Sequence, residues 1–476
     1  MMDDFFNLLL PQASLGIFIL SHLILSAIAT PRHYDFARLL TLIGLFTTTL
    51  VLLTVDTESQ YFGFNNSIMS DNYTILFHLI ILICAFFVAT LTNRLANTLK
   101  KNAFTIQALF LTAILGAFNI ISANDFLTLF VSIELMAFPT YFLIASAKGY
   151  HSKEASFKYL ITNAVSTGVF LLGVSYMYGI TSSFNFSVIY ETMAEADPNL
   201  IYTVSSFLII AGLISKLSIF PFANWVIDVY KGTETSVLAF LSTIPKLAMF
   251  GIVCRLLVFP LSFSLELPFI IAIISLVTAV WANTYAIREK NVKAILACSA
   301  SANASYMILV ASLVSVYNLS TVIFYLICYV IMNISVFAFL NITEYDDIGM
   351  KVANFKGFFH RNRLICFAYT LSVIGLAGFP ITSGFVAKIY LFTAIVNSGL
   401  VFIPFLLALL ILMVAALFYY LKLIVPLYEK PSKDTLRLPA RYSQEFVLII
   451  TAIATVLLGL YPEKLIELCH YVAYNI

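Results

Sequence analysis

Two neighbouring stretches, TVSSFLIIAGLISKLSIFPFANWVIDVY (203–230) and TSVLAFLSTIPKLAMFGIVCRLLV (235–258), decide how this chain folds. Each is apolar for longer than the roughly 20 residues an α-helix needs to cross a hydrocarbon core. Each also carries a lysine near its middle, Lys216 and Lys246, too far from the ends to reach an interface easily. The first contains Phe220-Pro221-Phe222, and proline breaks the hydrogen-bond ladder of a helix. A charge at the bilayer centre costs at least about 2.5 kcal/mol, so a segment both interrupted and charged there is expected to do something.

The same pattern continues in both directions. Of 476 residues, 61% are hydrophobic and 11% are Asp, Glu, Lys or Arg. Soluble domains carry about 25% of these four, so the chain has too little polar surface to cover a soluble fold. Apolar runs of spanning length lie near 5–28, 38–55, 73–92, 103–122, 124–146, 157–181, 203–230, 235–258, 266–287, 294–315, 319–343, 364–396, 401–428 and 444–466. The expectation is an all-α polytopic membrane protein of about 14 transmembrane helices.

The loops give an independent check. Basic residues follow alternate spans: Arg32 and Arg38; Arg94, Lys100 and Lys101; Lys148, Lys153 and Lys158; Lys231; Arg288, Lys290 and Lys293; Lys351, Lys356, Arg361 and Arg363; Lys430, Lys433, Arg437 and Arg441. By the positive-inside rule this face is cytoplasmic. The opposite loops carry Asp56, Glu58 and Asp71, then Glu191, Glu195 and Asp197. Both termini are then expected on the non-cytoplasmic side. The acidic start, Met1-Met2-Asp3-Asp4, lacks the basic region and cleavage site of a secretory signal and is expected to remain part of the chain.

Phe379-Pro380-Ile381, preceded by Gly378, interrupts span twelve as Pro221 interrupts span seven. Two breaks five spans apart suggest a five-helix repeat, and an odd number of spans inverts the second copy. Broken helices at matching places in inverted repeats point to a transport site, although proline is also simply tolerated in membrane helices. The expected division is 1–101 (spans one to three), 102–258 (first repeat, spans four to eight), 259–428 (second, inverted repeat, spans nine to thirteen) and 429–476 (span fourteen).

Four charges fall in mid-span: Glu134, Lys216, Lys246 and Lys388. Glu134 and Lys216 are natural partners. Burial disfavours the charged form of a lysine, and a lysine that exchanges its proton can serve as a relay station. A static ion pair that fixes packing accounts for Glu134 and Lys216 but leaves Lys246 and Lys388 unexplained, so a proton pathway is the favoured reading. Lesser candidates are His78, as a carrier or a hydrogen-bonded core histidine, and Asp228, with Lys231 and Glu234, as a cytoplasmic intake or a solvated turn. Lys422 and Arg255 are expected near interfaces, Lys422 by snorkelling.

Cys84, Cys254, Cys298, Cys328, Cys366 and Cys469 are scattered singly, without the short spacings of cluster or zinc ligands. No redox centre or metal site is expected in this chain. The sequence shows no phosphate-binding loop or nucleophile motif, and no basic tail that would suit nucleic acid.

Four segments resemble the antiporter-like membrane subunits of NADH:quinone oxidoreductase, respiratory complex I, and most closely the subunit N branch. KLSIFPFANWVIDVYKGTETSVLAFLSTIPKLAMFGIV (216–253) is similar to the family's K-L-S-x-x-P-F-H-x-W-x-P-D-V-Y-x-G stretch and its next lysine. NVKAILACSASANASYMILVA (291–311) resembles N-I-K-R-L-L-A-Y-S-S-I-A-H-L-G-Y. SIELMAFPTYFLIASAKGYHSKEASFKYLITNAVSTG (132–168) matches glutamate, basic loop and E-A-x-x-K-Y, and LAGFPITSGFVAKIYLF (376–392) matches the broken helix with its lysine.

The resemblance implies a proton-translocating subunit whose key glutamate is Glu134 and whose lysines are Lys216, Lys246 and Lys388. It implies no cofactor in this chain, with NADH, FMN, iron–sulfur clusters and quinone in partner subunits. It also implies further antiporter-like subunits as neighbours in a bacterial inner membrane, or alternatively an organellar inner membrane. A lysine in span twelve argues against subunit M, and the lack of a long lateral helix against subunit L. Ala223 and Asn303 stand where the family has histidine, and Ile227 where it has proline. Asn303 hydrogen-bonds but cannot carry a proton as imidazole does, so part of the relay would run through water, or this copy would conduct less well. The competing functions are a multi-subunit cation/proton antiporter of the same superfamily and a non-conducting scaffold.

Overall fold

The structure, a computed structural model, describes residues 2–28, 34–55, 60–92, 99, 102–147, 149–195, 199–345, 348–430 and 442–475. Arg32, Arg94, Lys100, Lys101, Lys148, Lys433, Arg437 and Arg441, with Asp56, Glu58 and Asp197, lie outside the described residues. Among the described residues, thirteen helices are long and apolar enough to cross a membrane. Two shorter apolar helices, Arg363–Ala377 and Ser383–Asn397, succeed one another as the broken twelfth span. The chain is an all-α polytopic membrane protein, with one small hairpin among the described residues.

The chain forms two compact units, the first comprising residues 1–217, 244–270 and 472–476. In it, α1 (Met2–Ile28) packs on α2 (Tyr34–Leu52), and α3 (Asn72–Leu91) on α2. All three contact α4 (Ala103–Ser122), which packs on α5 (Phe126–Ala145), and α5 on α6 (Tyr150–Thr181). A short helix, α7 (Phe186–Glu195), precedes α8 (Leu200–Ile214), which lies along α6. A Cβ at Gly173 would stand 2.7 Å from the Ile209 nitrogen, and one at Gly212 would stand 2.8 Å from the Phe170 Cα. Glycines thus let α6 and α8 approach backbone to backbone, the contact that substitutes for the hydrophobic drive membrane helices lack. An antiparallel hairpin, β1 (Tyr61–Gly63) with β2 (Ile68–Ser70), is tied to the α4–α5 junction by the Asn124 N–H on the Ser67 carbonyl, 2.9 Å.

The second unit comprises residues 218–243 and 271–471. After α9 (Trp225–Gly232), α10 (Thr235–Val258) and α11 (Leu267–Arg288) contribute residues to both units. Every residue of α12 (Val292–Ser312) is buried. The long α13 (Val316–Tyr345) packs on α12, α14 (Arg363–Ala377) and α15 (Ser383–Asn397). Beyond them, α16 (Ile403–Tyr428) packs on α14, and α17 (Tyr442–Leu460) on α13, before α18 (Glu463–Tyr474). Asp71, Asp125, Asn199, Asn291 and Asn362 cap helix starts with their side chains, satisfying N–H groups that no helical partner reaches.

Three details depart from the expected spans. The sixth begins at Tyr150 rather than 157, its polar first turns carrying a Glu154–Lys158 pair at 2.9 Å. The fourteenth stops at Leu460 instead of running to 466, because Pro462 has no N–H to continue it, and α18 starts anew. The hairpin and α7 occupy stretches read as plain loops.

Candidate functional site

Glu134 sits mid-way along α5 and Lys216 in a 3₁₀ turn, Ser215–Leu217, that ends α8. They are not in salt-bridge contact. Instead α6, which packs against both α5 and α8, places two polar side chains one turn apart: Lys216 Nζ donates to Asn163 Oδ1 at 3.3 Å, and Thr167 Oγ1 donates to Glu134 Oε1 at 3.1 Å. Glu134 and Lys216 are thus each hydrogen-bonded to a neutral side chain of α6. Asn163 and Thr167 were missed in the sequence, where they are two of four polar residues, Thr162, Asn163, Ser166 and Thr167, in an otherwise apolar run.

Lys246 is in the interior of α10, directly after Pro245. Lys216, Lys246 and Lys388 are 8%, 2% and 7% exposed, so all three ammonium groups are withdrawn from the surface. The seventh span is interrupted as expected: residues 218–224, with Pro221, leave the helix before α9 resumes it. The freed N–H of Phe220 is taken by Thr278 Oγ1 at 3.0 Å.

At the second interruption, α14 stops at Ala377 and α15 starts at Ser383, with Pro380 between them. Gly378 closes α14 in the left-handed conformation (φ 84°), its N–H on the carbonyls of Gly375 and Ile374. The last carbonyls of a helix lack intrahelical donors and carry its negative dipole end. Lys388 supplies the donors: its Nζ reaches the carbonyl oxygens of Leu376 at 2.9 Å and Ala377 at 2.8 Å. Among the described residues, the ammonium is held by neutral oxygens.

Asn303, buried in α12, belongs to a separate polar cluster. Tyr325 Oη donates to its Oδ1 at 2.8 Å, and its Nδ2 donates to the Ser299 carbonyl at 2.8 Å and to Tyr420 Oη at 3.3 Å. Ser299 Oγ and Tyr420 Oη share a 2.6 Å hydrogen bond. The sequence singled out Asn303 but not the two tyrosines, which come from α13 and α16.

Asp228 is exposed on α9. One turn on, Lys231 pairs with Glu289 at 2.8 Å. Partial burial opposes the charge of Glu289, but Lys231 and the N–H groups of Lys290 and Asn291 outweigh it and hold the carboxyl below its ordinary pKa. A more buried pair joins Lys293 to Glu344 at 2.9 Å.

Arg255, expected near an interface, is buried within the protein. It is 2% exposed, and its Nη2 binds both carboxylate oxygens of Asp71, at 2.8 and 2.7 Å, with its guanidinium 4.9 Å from the Tyr73 ring centre. His78 lies stacked on Phe118, its Nε2 3.1 Å from the Phe118 carbonyl, a hydrogen-bonded core position. Lys422 reaches the carbonyls of Ile287 and Glu289 at the end of α11. All six cysteines are buried thiols.

Residues 123–414 match the family model described as NADH:quinone oxidoreductase/Mrp antiporter, transmembrane. The chain is 35% identical to NADH-quinone oxidoreductase subunit N of Anoxybacillus flavithermus, over 75% of this chain and 74% of that protein. It is 30% identical to the subunit N of Heliobacterium modesticaldum, over 92% and 91%. A chain in the structure of respiratory complex I from Thermus thermophilus with bound aureothin superposes with a TM-score of 0.82 at 25% identity, covering 96% of this chain and 98% of that one.

Proposed function

The chain belongs to the NADH:quinone oxidoreductase/Mrp antiporter family of membrane proteins, and from that premise we propose that it is the proton-translocating subunit N of an NADH:quinone oxidoreductase. Protons move through Glu134, Lys216, Lys246 and Lys388, driven by redox chemistry in partner subunits that hold FMN, iron–sulfur clusters and the NADH and quinone sites. Its neighbours are other antiporter-like subunits in a bacterial inner membrane, with both termini on the non-cytoplasmic face. The two interruptions, five spans apart, support the reading of 102–258 and 259–428 as inverted repeats.

One observation carries the proposal. Lys216 and Lys388 are buried at helix interruptions, and each donates to neutral oxygens, Asn163 Oδ1 or two main-chain carbonyls. A lysine locked in a tight ion pair cannot lose its proton without stranding a carboxylate, at a cost of several kcal/mol. A lysine on neutral acceptors carries no such penalty, and interrupted backbone admits the water that would deliver and remove protons. Asn303 and its tyrosines offer hydrogen-bonding groups along the way.

The test is a tagged chain purified in mild detergent, with Glu134→Ala beside it. Co-purification of an NADH-oxidising complex, with proton uptake into vesicles lost in the variant, is the expected result. Co-purification with cation-antiporter subunits alone would place the chain in the other branch of its family. Unchanged proton uptake in an assembled Glu134→Ala complex would reject the relay.

A further inference from the structure

The Lys293–Glu344 pair does more than join two charges. Lys293 Nζ also donates to the carbonyl of Thr233 at 2.8 Å, and Thr233 is the residue that ends α9. The second oxygen of Glu344 accepts the N–H of Thr235 at 2.9 Å, the first residue of α10. A cation therefore sits on the carbonyl end of one helix and an anion on the N–H end of the next, each with the sign the helix dipole favours. Lys293 is 5% exposed and Glu344 18%, so both interactions are strengthened by partial burial. The short turn between α9 and α10 is gripped from both sides, and Lys231–Glu289 adds a more exposed contact on α9.

This turn has a special position. It follows α9, the second half of the interrupted helix whose first half ends in Lys216, and it begins α10, which carries Lys246 about three turns further on. We propose that Lys293 and Glu344 are positioning residues for proton transfer: they set where α9 ends and α10 begins, and so the placement of the interruption and of Lys246. The inference rests on the reading of this chain as a proton carrier. Their contribution runs through the helix ends.

The pair can be tested against an ordinary salt bridge by exchanging its charges. Lys293→Glu with Glu344→Lys restores an ion pair but puts an anion on the carbonyl end of α9 and a cation on the N–H end of α10. The readout is protons moved per NADH oxidised by the complete complex in vesicles, with assembly and uncoupled NADH oxidation measured in parallel. Glu344→Gln and the exchanged pair should both fall to the value of a Lys246→Ala complex while still assembling and oxidising NADH. Lys293→Arg, which keeps sign and donors, should stay near wild type.

Wild-type stoichiometry in the exchanged pair would overturn the proposal and leave a plain ion pair. If the exchanged pair does not assemble, Lys293→Met decides: it removes the donor to Thr233 and leaves Glu344 on Thr235, and full stoichiometry there overturns the proposal equally. A Lys246→Ala complex with full stoichiometry would instead reject the proton-carrier reading itself, and this inference with it.

Discussion

Gly378 makes the room that the Lys388 ammonium occupies. A Cβ at position 378 would lie 2.7 Å from Lys388 Cδ and 2.9 Å from Nζ, and the backbone there has φ 84°, where a side chain is strained. The residue that ends α14 and the lysine that caps its carbonyls thus form one device. Gly378→Ala should displace Lys388, cost roughly 1–3 kcal/mol of stability, and depress proton pumping in assembled complex. Vesicle pumping assays and thermal melts of the purified complex report the two effects, and normal pumping in the alanine variant would mean that Lys388 tolerates displacement.

Lys388 itself separates charge from proton exchange. Arginine keeps the positive charge and can still donate to the Leu376 and Ala377 carbonyls, but it does not release its proton at any working pH. If Lys388 exchanges protons, Lys388→Arg should fail as Lys388→Ala does, with the complex still assembled. Full quinone-linked pumping by the arginine variant would leave Lys388 a static cap on α14.

The two polar residues of α6 should matter nearly as much as the charges they touch. Asn163→Leu removes the acceptor of the Lys216 ammonium, and Thr167→Val removes the hydroxyl on Glu134. Losing a hydrogen bond to a charged group costs about 1.5–3 kcal/mol. Both variants should lower the pumping rate without blocking NADH oxidation in the presence of uncoupler. Wild-type rates in both would show that Glu134 and Lys216 communicate by another route.

Arg255 and Asp71 should behave as a structural clasp. Arg255→Leu leaves the Asp71 carboxylate buried without its partner, a loss of about 3–5 kcal/mol. The double change Arg255→Leu with Asp71→Leu should recover much of it, since no uncompensated charge remains, although Asp71 also caps α3. Melting temperatures of wild type, the two single variants and the double variant give the coupling directly. Additive losses would contradict the clasp.

Orientation is open to a direct check. Tyr474 is 74% exposed at the end of α18, and all six native cysteines are buried, so Tyr474→Cys offers one reactive thiol. An impermeant thiol reagent should label it from the non-cytoplasmic face of intact cells. Labelling only in inverted vesicles would reverse the assigned topology.

Much of this architecture is local in origin, which is why it could be read before any tertiary contact was known. An apolar run long enough to span a bilayer forms a helix because every backbone polar group must be satisfied internally. Its interruptions sit at Phe220-Pro221 and Gly378-Phe379-Pro380, because proline lacks an N–H and glycine accepts the left-handed turn that ends α14. The cost of putting Glu134, Lys216, Lys246 and Lys388 into such runs is likewise a property of each residue alone, so their exceptional status was visible one by one. What a charge does once buried depends on which helix faces meet, and spacing along the chain does not encode that. Only the fold sets Asn163 and Thr167 between Glu134 and Lys216, turns Lys388 back onto the helix that precedes it, and brings Arg255 to Asp71 across 184 positions of sequence. The sequence by itself determined the spans, their breaks and which charges are costly. Tertiary structure decided their partners, because a hydrogen bond or ion pair is a property of two surfaces in contact.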